Sequence, residues 1–261
     1  MSSIKKIVIT GASGFLGSHL LERLRGDEQY EVYAWSSKPD ALRKKIGGEN
    51  IIYCYKDMLD AQILKNCIVI NCAYPRNATG TGIADGLKYI QKVFKAAVEN
   101  GASAIINISS QSVYSQQRIE AATEETPVCL ESPYAVGKYA VELMLESACN
   151  GSKTAFTSLR MASLIGPGFD QRIVNRFVKQ MINQESITVV RQEKRMGFLD
   201  VEDAVNAILS VANVTAASWQ TIYNVGNDEA YTVEEIFNVV ASELRIPIEI
   251  ISTIIETGLE I

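Results

Sequence analysis

Through the first half of the chain, short apolar runs rich in β-branched residues alternate with longer stretches whose apolar residues recur at helical spacing. The runs at residues 6–10, 31–35, 51–55, 68–71 and 104–108 predict strands. The stretches at 15–24, 82–99 and 134–149 predict amphipathic helices. Strands and helices in strict alternation imply βαβ units, and so an α/β fold built on a doubly wound parallel sheet.

A further strand at 155–160 extends this sheet, and Gly166-Pro167-Gly168 then marks a turn where the chain leaves it. The stretch 171–195 is basic, with Arg172, Arg176, Lys179, Arg191, Lys194 and Arg195. A strand at 198–201, a helix at 202–212 and a strand at 221–225 are expected back in the core. The last stretch, a helix at 233–244 and a strand at 248–251 beyond Pro247, belongs to a small C-terminal lobe. The expected division is therefore 1–165 with about 198–226 as core, and about 166–197 with 227–261 as lobe.

Thr10-Gly11-Ala12-Ser13-Gly14-Phe15-Leu16-Gly17 follows the first predicted strand and opens the first predicted helix, the context a dinucleotide fingerprint requires. Gly11 permits a tight turn, Gly14 lets the backbone approach a pyrophosphate, and Gly17 lets the helix pack closely on the sheet. The N-terminal amides of the helix then face the anion. The spacing is G-x-x-G-x-x-G, so the reading rests on its place between strand and helix. Gly11, Ser13, Gly14, Phe15, Leu16 and Gly17 are the expected cofactor contacts of a Rossmann-type core. The second strand runs into Ser36-Ser37-Lys38, where no carboxylate would repel a 2′-phosphate and two hydroxyls and an ammonium would bind one. NADP(H) is expected in preference to NAD(H), the alternative. Asp57, with Met58 beside it, follows the third strand as a candidate adenine contact, and Ala73 follows the fourth as a further cofactor contact.

Of eleven tyrosines only Tyr134 has a lysine four residues on, Lys138, and the pair opens a predicted helix after Ser132-Pro133. Residues four apart share one helix face. The lysine charge and the positive nicotinamide ring would favour the phenolate, making Tyr134 a usable acid/base, while Lys138 would also bind the cofactor ribose. The fifth strand ends in Ser109-Ser110-Gln111-Ser112, which puts hydroxyls at the carboxyl edge of the sheet, where open α/β folds bind ligands. Ser110 is the candidate partner of the substrate oxygen, with Gln111 beside it.

Taken together, the chain resembles the extended short-chain dehydrogenase/reductase family, the NAD-dependent epimerase/dehydratase group acting on nucleotide sugars. The resemblance runs from Thr10-Gly11 through Ser109-Ser110-x-x-Val113-Tyr114, Tyr134-x-x-x-Lys138 and Gly166-Pro167-Gly168. It continues to Arg195-Met196-Gly197-Phe198-Leu199-Asp200-Val201-Glu202-Asp203 and Tyr223-Asn224-Val225-Gly226. It implies catalytic roles for Ser110, Tyr134 and Lys138, and a diphosphate contact for Arg195, whose planar fork suits phosphate. Family dehydratases carry an acidic pair after the catalytic hydroxyl. Here Gln111 and Ser112 stand there, and neither exchanges a proton near neutrality, so dehydration is not expected. Hydride transfer with one proton remains: reduction of a keto-sugar, oxidation of a hydroxyl, or 4-epimerisation by oxidation, turning and re-reduction. A reductase of a small carbonyl compound without phosphate, and a non-catalytic dinucleotide-binding regulator or scaffold, are the competing readings. The resemblance also implies a homodimer joined through a helix bundle; the apolar faces of the helices at 82–99 and 134–149 serve either that purpose or their own core.

Composition narrows the partners. A net charge of −5 and a pI near 5.2 argue against nucleic acid, whose affinity needs a surplus of Lys and Arg. No apolar stretch is long enough to span a bilayer, and no signal peptide is seen. Five cysteines, Cys54, Cys67, Cys72, Cys129 and Cys149, without C-x-x-C spacing, read as free thiols of a cytoplasmic protein without a metal site. In that compartment the sequons at Asn77, Asn107, Asn150 and Asn213 carry no meaning. His19, the single histidine, reads as a packing or surface residue.

Overall fold

Ile7, Val8 and Ile9 are fully buried in β1 (Lys5–Thr10), which is covered on both faces and for that reason is written as an unbroken apolar run. The computed structural model describes residues 4–75, 80–118, 120–169, 173–191, 194–246 and 253–257. β1 lies near the middle of a seven-stranded parallel sheet. Its other strands are β2 (Tyr30–Ser36), β3 (Ile51–Tyr55), β4 (Ile68–Asn71), β5 (Ala104–Ser110), β6 (Ala155–Met161) and β10 (Ile222–Val225). The order is β10-β6-β5-β4-β1-β2-β3, with every pair parallel. The direction of winding reverses between β1 and β4, the switch point at which Rossmann-type folds bind ligands.

The helices around this sheet are α1 (Phe15–Leu24), α2 (Pro39–Ile46), α3 (Ala61–Leu64), α4 (Gly80–Glu99), α5 (Pro133–Cys149) and α7 (Val201–Asn213). Val93 and Phe94 of α4, and Val141 and Leu145 of α5, share a buried cluster with Val8, Val69 and Ile105. Each such side chain contributes about 1.5–3 kcal/mol of burial. α2, absent from the sequence reading, buries only Pro39, Leu42 and Ile46 of its eight residues, too few to show a helical period.

Four polar side chains cross the sheet inside this core. Thr10, Asn71, Asn107 and Ser158 are register partners on β1, β4, β5 and β6, all buried. The Thr10 hydroxyl donates to Asn71 Oδ1 at 2.7 Å, the Asn71 amide to Asn107 Oδ1 at 3.0 Å, and the Asn107 amide to Ser158 Oγ at 3.2 Å. The ladder therefore ties four neighbouring strands together across the switch point.

The chain divides into two compact units, Met1–Met161 with Glu202–Val225, and Ala162–Val201 with Gly226–Ile261. The second has its own sheets: β7 (Ser163–Ile165) beside β9 (Met196–Asp200) and β11 (Ala230–Tyr231), and β8 (Ile187–Arg191) beside β12 (Thr253–Thr257). α6 (Ile173–Ile182) and α8 (Val233–Glu243) complete it. Its core holds Phe177 and Met181 with Phe237 and Val240, the two phenylalanine rings meeting edge to face at 5.7 Å. The strand expected to rejoin the main sheet at 198–201 is instead β9, since Met196 and Phe198 pack on the Phe177 cluster. The strand expected at 248–251 and Arg172 lie outside the described residues, as does the Asn77 sequon. No helix among the described residues is long and apolar enough to cross a membrane.

Candidate active site

The loop after β1 is shaped by its glycines. Gly11 has φ +64°, and a Cβ there would lie 2.7 Å from the backbone of Ala73, so both conformation and space require glycine. At Gly17 a Cβ would stand 2.4 Å from the Gly11 carbonyl oxygen, so α1 packs closer to the turn than any side chain allows. The Gly14 N–H donates to the Gly11 carbonyl at 2.9 Å and closes the turn. Gly14 is also the residue before α1, and no side chain caps this helix. A turn pressed onto the sheet and a helix start without a side-chain cap fit a dinucleotide pyrophosphate. Ser13 and Phe15 lie at the surface of this loop or partly so, whereas Leu16 is buried.

At the end of β2 the three expected ribose contacts separate. Ser36 is buried, and its Oγ accepts the Lys38 N–H at 3.0 Å, so this hydroxyl already serves the turn into α2. Ser37 and Lys38 are exposed. Asp57 and Met58, beyond β3, are exposed as well. Beside them the Tyr89 hydroxyl donates to the Lys56 carbonyl at 3.2 Å. Burial, reinforced by the Asp57 charge, pushes the Tyr89 phenol well up.

Ser132 caps α5, accepting the Ala135 N–H on its Oγ at 3.1 Å, and Pro133 occupies the first turn. These two residues fix where the helix starts and so where Tyr134 and Lys138 point. Tyr134 is half-buried and Lys138 buried. The Lys138 ammonium donates to the Ile108 carbonyl at 2.8 Å, which joins α5 to β5 two residues before Ser110. Ser110 Oγ accepts the Ser112 N–H at 3.2 Å and so caps the short 3₁₀ turn Gln111–Val113. A second tyrosine, Tyr74, joins this group: its ring lies 5.2 Å from that of Tyr134, edge to face, and 4.4 Å from the Lys138 nitrogen. Burial, then the neighbouring Tyr134, raises the Tyr74 phenol. Cys72, on the same segment, has its thiol pushed up to about 12 by burial, with Lys138 pulling the other way, so it is no nucleophile at neutral pH.

Behind Tyr134 and Lys138 runs a buried charged network. The Arg160 guanidinium on β6 grips Glu142 of α5 with both prongs, Nη2 to Oε2 at 2.7 Å and Nε to Oε1 at 3.1 Å. Ser109 hydrogen-bonds the same carboxylate. Arg160 Nη1 donates to the Tyr114 hydroxyl at 2.8 Å, which donates to Asn224 Oδ1 of β10 at 2.8 Å. Burial opposes the Arg160 charge, but the hydrogen bonds it donates to Glu142 and Tyr114 outweigh it and raise its pKa. Sequence reasoning missed Glu142, Arg160 and Tyr74. Glu142, eight residues after Tyr134, falls on the buried side of α5, and a carboxylate among apolar positions was the available signal.

In the second unit, Arg195 Nε donates to the Ala230 carbonyl at 3.0 Å, and Nη2 donates to Glu235 at 2.8 and 3.1 Å. Glu235 in turn closes the capping box of α8 with Thr232. The Thr232 backbone N–H, and after it Arg195, hold the Glu235 carboxyl below its ordinary range. A separate cavity of ≈ 450 Å³ in this unit is lined by Ile165, Asn175, Lys179 and Asp200, without Arg195. A wider groove of ≈ 1120 Å³ touches Lys5, Tyr30, Ile68 and Ala104 at the amino edge of the main sheet, away from the phosphate loop. His19 Nδ1 donates to the Glu202 carboxylate at 2.8 Å, and its ring meets that of Phe15 edge to face. All five cysteines are free, and Cys129 is exposed. No group of three metal-binding side chains occurs among the described residues.

Comparison with known proteins places this geometry. An uncharacterised UDP-glucose epimerase of Bacillus subtilis (strain 168), YtcB, is 24% identical over 261 residues, spanning 90% of this chain and 81% of its own length. The UDP-glucuronic acid 4-epimerase of Bacillus cereus, solved with UDP-glucuronic acid and NAD, has a TM-score of 0.82 at 19% identity, over 97% of this chain and 86% of that one. TunA, an NAD dependent NDP-hexosamine 5,6-dehydratase of tunicamycin biosynthesis, scores 0.80 at 19% identity, over 97% and 84%. One fold thus serves both an epimerase and a dehydratase. A family model, that of the NAD dependent epimerase/dehydratase family, matches residues 7–226, from the middle of β1 to the residue after β10. With most of its length inside that match, the chain belongs to the NAD dependent epimerase/dehydratase family.

Proposed function

We propose that the protein is a 4-epimerase of a nucleoside-diphosphate sugar that keeps its NAD(H) through the cycle. The observation that carries this reading is the tethering of Lys138 to the Ile108 carbonyl, which sets Tyr134 and Lys138 of α5 against the strand that ends in Ser110. A dinucleotide held by the Gly11–Gly14 turn and the start of α1 would supply the acceptor and donor of hydride for the sugar carbon. Tyr134 removes the proton of the sugar hydroxyl and later gives it back, Ser110 hydrogen-bonds the same oxygen, and Lys138 supplies positive charge beside the phenol. Gly11, Gly14 and the start of α1 receive the pyrophosphate, with Ser37, Lys38, Asp57 and Met58 at the adenosine end. Gln111 and Ser112 hold no carboxylic acid, so elimination of water is not part of the reaction. The bound UDP-sugar and NAD of the Bacillus cereus epimerase support the choice of substrate and cofactor. Arg195, whose guanidinium is held by Glu235 and the Ala230 carbonyl, is the candidate contact for a substrate phosphate.

A second reading, an NADPH-dependent keto-sugar reductase, draws on the exposed Ser37 and Lys38 and the missing carboxylate after β2. Proton NMR of UDP-glucose, UDP-glucuronic acid and UDP-N-acetylglucosamine incubated with the protein alone separates the two. Interconversion at C4 without added cofactor supports the epimerase, and inert sugars contradict it. Arg195→Ala is expected to raise KM about tenfold or more, as loss of a charged hydrogen bond would. An unchanged KM refers the substrate to carbonyl compounds without phosphate.

A further inference from the structure

Three glycines outside one another's elements make room for a single tripeptide, Ala73-Tyr74-Pro75, which follows β4 at the carboxyl edge of the sheet. A Cβ on Gly11 would lie 2.7 Å from the Ala73 backbone, one on Gly86 of α4 would lie 2.3 Å from the Pro75 ring, and one on Gly137 of α5 would lie 2.1 Å from the Tyr74 hydroxyl. The tripeptide is clamped at both ends, and the tyrosine between them enters a slot in α5. Glycine weakens a helix interior relative to alanine, so the open position at 137 has a cost that the seat for Tyr74 offsets.

The seated ring touches the two residues given the chemistry. The Lys138 ammonium stands 4.4 Å from the centre of the Tyr74 ring and 5.9 Å from that of Tyr134. The Tyr74 and Tyr134 rings meet edge to face, at 5.2 Å and 84°. The Tyr74 hydroxyl donates to the Tyr134 carbonyl at 3.4 Å. A cation is drawn to an aromatic face, and edge-to-face contact fixes the relative tilt of two rings. The Ile108 carbonyl holds the ammonium from one direction and Tyr74 from another.

We propose that Tyr74 is a positioning residue for the Tyr134–Lys138 pair: its ring face holds the Lys138 ammonium, its contact with Tyr134 sets the tilt of the catalytic phenol, and Gly137 is the slot that admits it. The inference rests on the roles of Tyr134 and Lys138 proposed above. Displacing an acid/base by a fraction of an ångström lowers the rate of the chemical step more than it weakens ground-state binding.

The test compares Tyr74→Leu, Tyr74→Phe, Gly137→Ala and the double variant Gly137→Ala/Tyr74→Phe in the full chain. Tyr74→Leu is expected to lower kcat about tenfold or more while KM stays within about twofold, and Tyr74→Phe, which keeps the ring, to lose several-fold less. Gly137→Ala is expected to show the same kcat loss, and removing the hydroxyl that its methyl strikes should restore most of it in the double variant. Because alanine favours the helix, a defect in Gly137→Ala that Tyr74→Phe relieves is not a general loss of folding. A substrate-free reading uses ¹³C-lysine NMR, with Lys138→Arg to assign the signal. The ring current should shift the Lys138 ε-methylene upfield in wild type, and Tyr74→Leu should return it to the ordinary lysine position. Tyr74→Leu with wild-type kcat, or Gly137→Ala that the second substitution does not rescue, overturns the proposal. If the wild-type chain turns over no nucleotide sugar, that failure falls on the assigned reaction. The lysine signal then decides alone: an upfield position supports the placement and an ordinary one overturns it.

Discussion

Tyr134 and Lys138 differ in what their loss removes. Tyr134 is half-buried at the start of α5, whose first turn is set by Ser132 and Pro133. Tyr134→Phe is expected to fold and to bind dinucleotide as wild type does, with kcat down by about 10²-fold or more, the share of a positioned acid/base. Turnover near the wild-type rate would contradict the assigned role. Lys138 also closes the Ile108 carbonyl, so its removal unsettles the fold as well as the chemistry, by about 1–3 kcal/mol for a buried acceptor left without its donor. Ser110, Tyr134 and Lys138 could be proposed from the sequence because chain order and spacing mark them. Tyr74 was not, since an aromatic after a strand has no spacing signature, and its partner Gly137 reads only as a weak spot in a helix. The Ser36 Oγ accepts the Lys38 N–H as well, a turn contact that its place at the end of a strand did not announce.

Among the elements, the strands of the main sheet were the most readable, because burial on both faces leaves continuous apolar runs. Their cross-strand chemistry was hidden. Thr10, Asn71, Asn107 and Ser158 lie far apart in sequence and become a ladder only once the order β1-β4-β5-β6 is known. Asn107 is the middle rung, receiving from Asn71 and donating to Ser158. Asn107→Leu leaves both partners buried without it and is expected to destabilise the protein by about 2–6 kcal/mol, at about 1–3 kcal/mol for each orphaned group. Urea denaturation reads this directly, and a midpoint equal to wild type would show the ladder to be dispensable. α2 escaped detection because five of its eight residues are charged or small and only three are buried. β9 was placed in the wrong sheet because a five-residue strand carries no mark of its partner, and the apolar faces of Met196 and Phe198 decide the matter only in three dimensions.

At the scale of the whole molecule, free thiols of the first unit, Cys67 and Cys149 buried and Cys72 partly so, give a definite pH response. Burial pushes Cys67 and Cys72 up to about 12 and Cys149 up to about 11, from an ordinary 9.0. In the unfolded chain these thiols ionise near 9, whereas in the folded one they stay protonated. Their contribution to stability is therefore complete below pH 9 and is lost as pH rises towards 11 and 12. The melting temperature should be level from pH 7 to 8.5 and fall steadily above 9, and a Tm that holds to pH 11 would contradict the burial of these groups. The central claim, that the first unit retains a dinucleotide which Tyr134, Lys138 and Ser110 use on a nucleotide sugar, is reached most directly by denaturing the purified protein and identifying what it releases. The account predicts NAD(H) approaching one per chain. Release of no dinucleotide, with no binding of NADH or NADPH to the emptied protein, would contradict it.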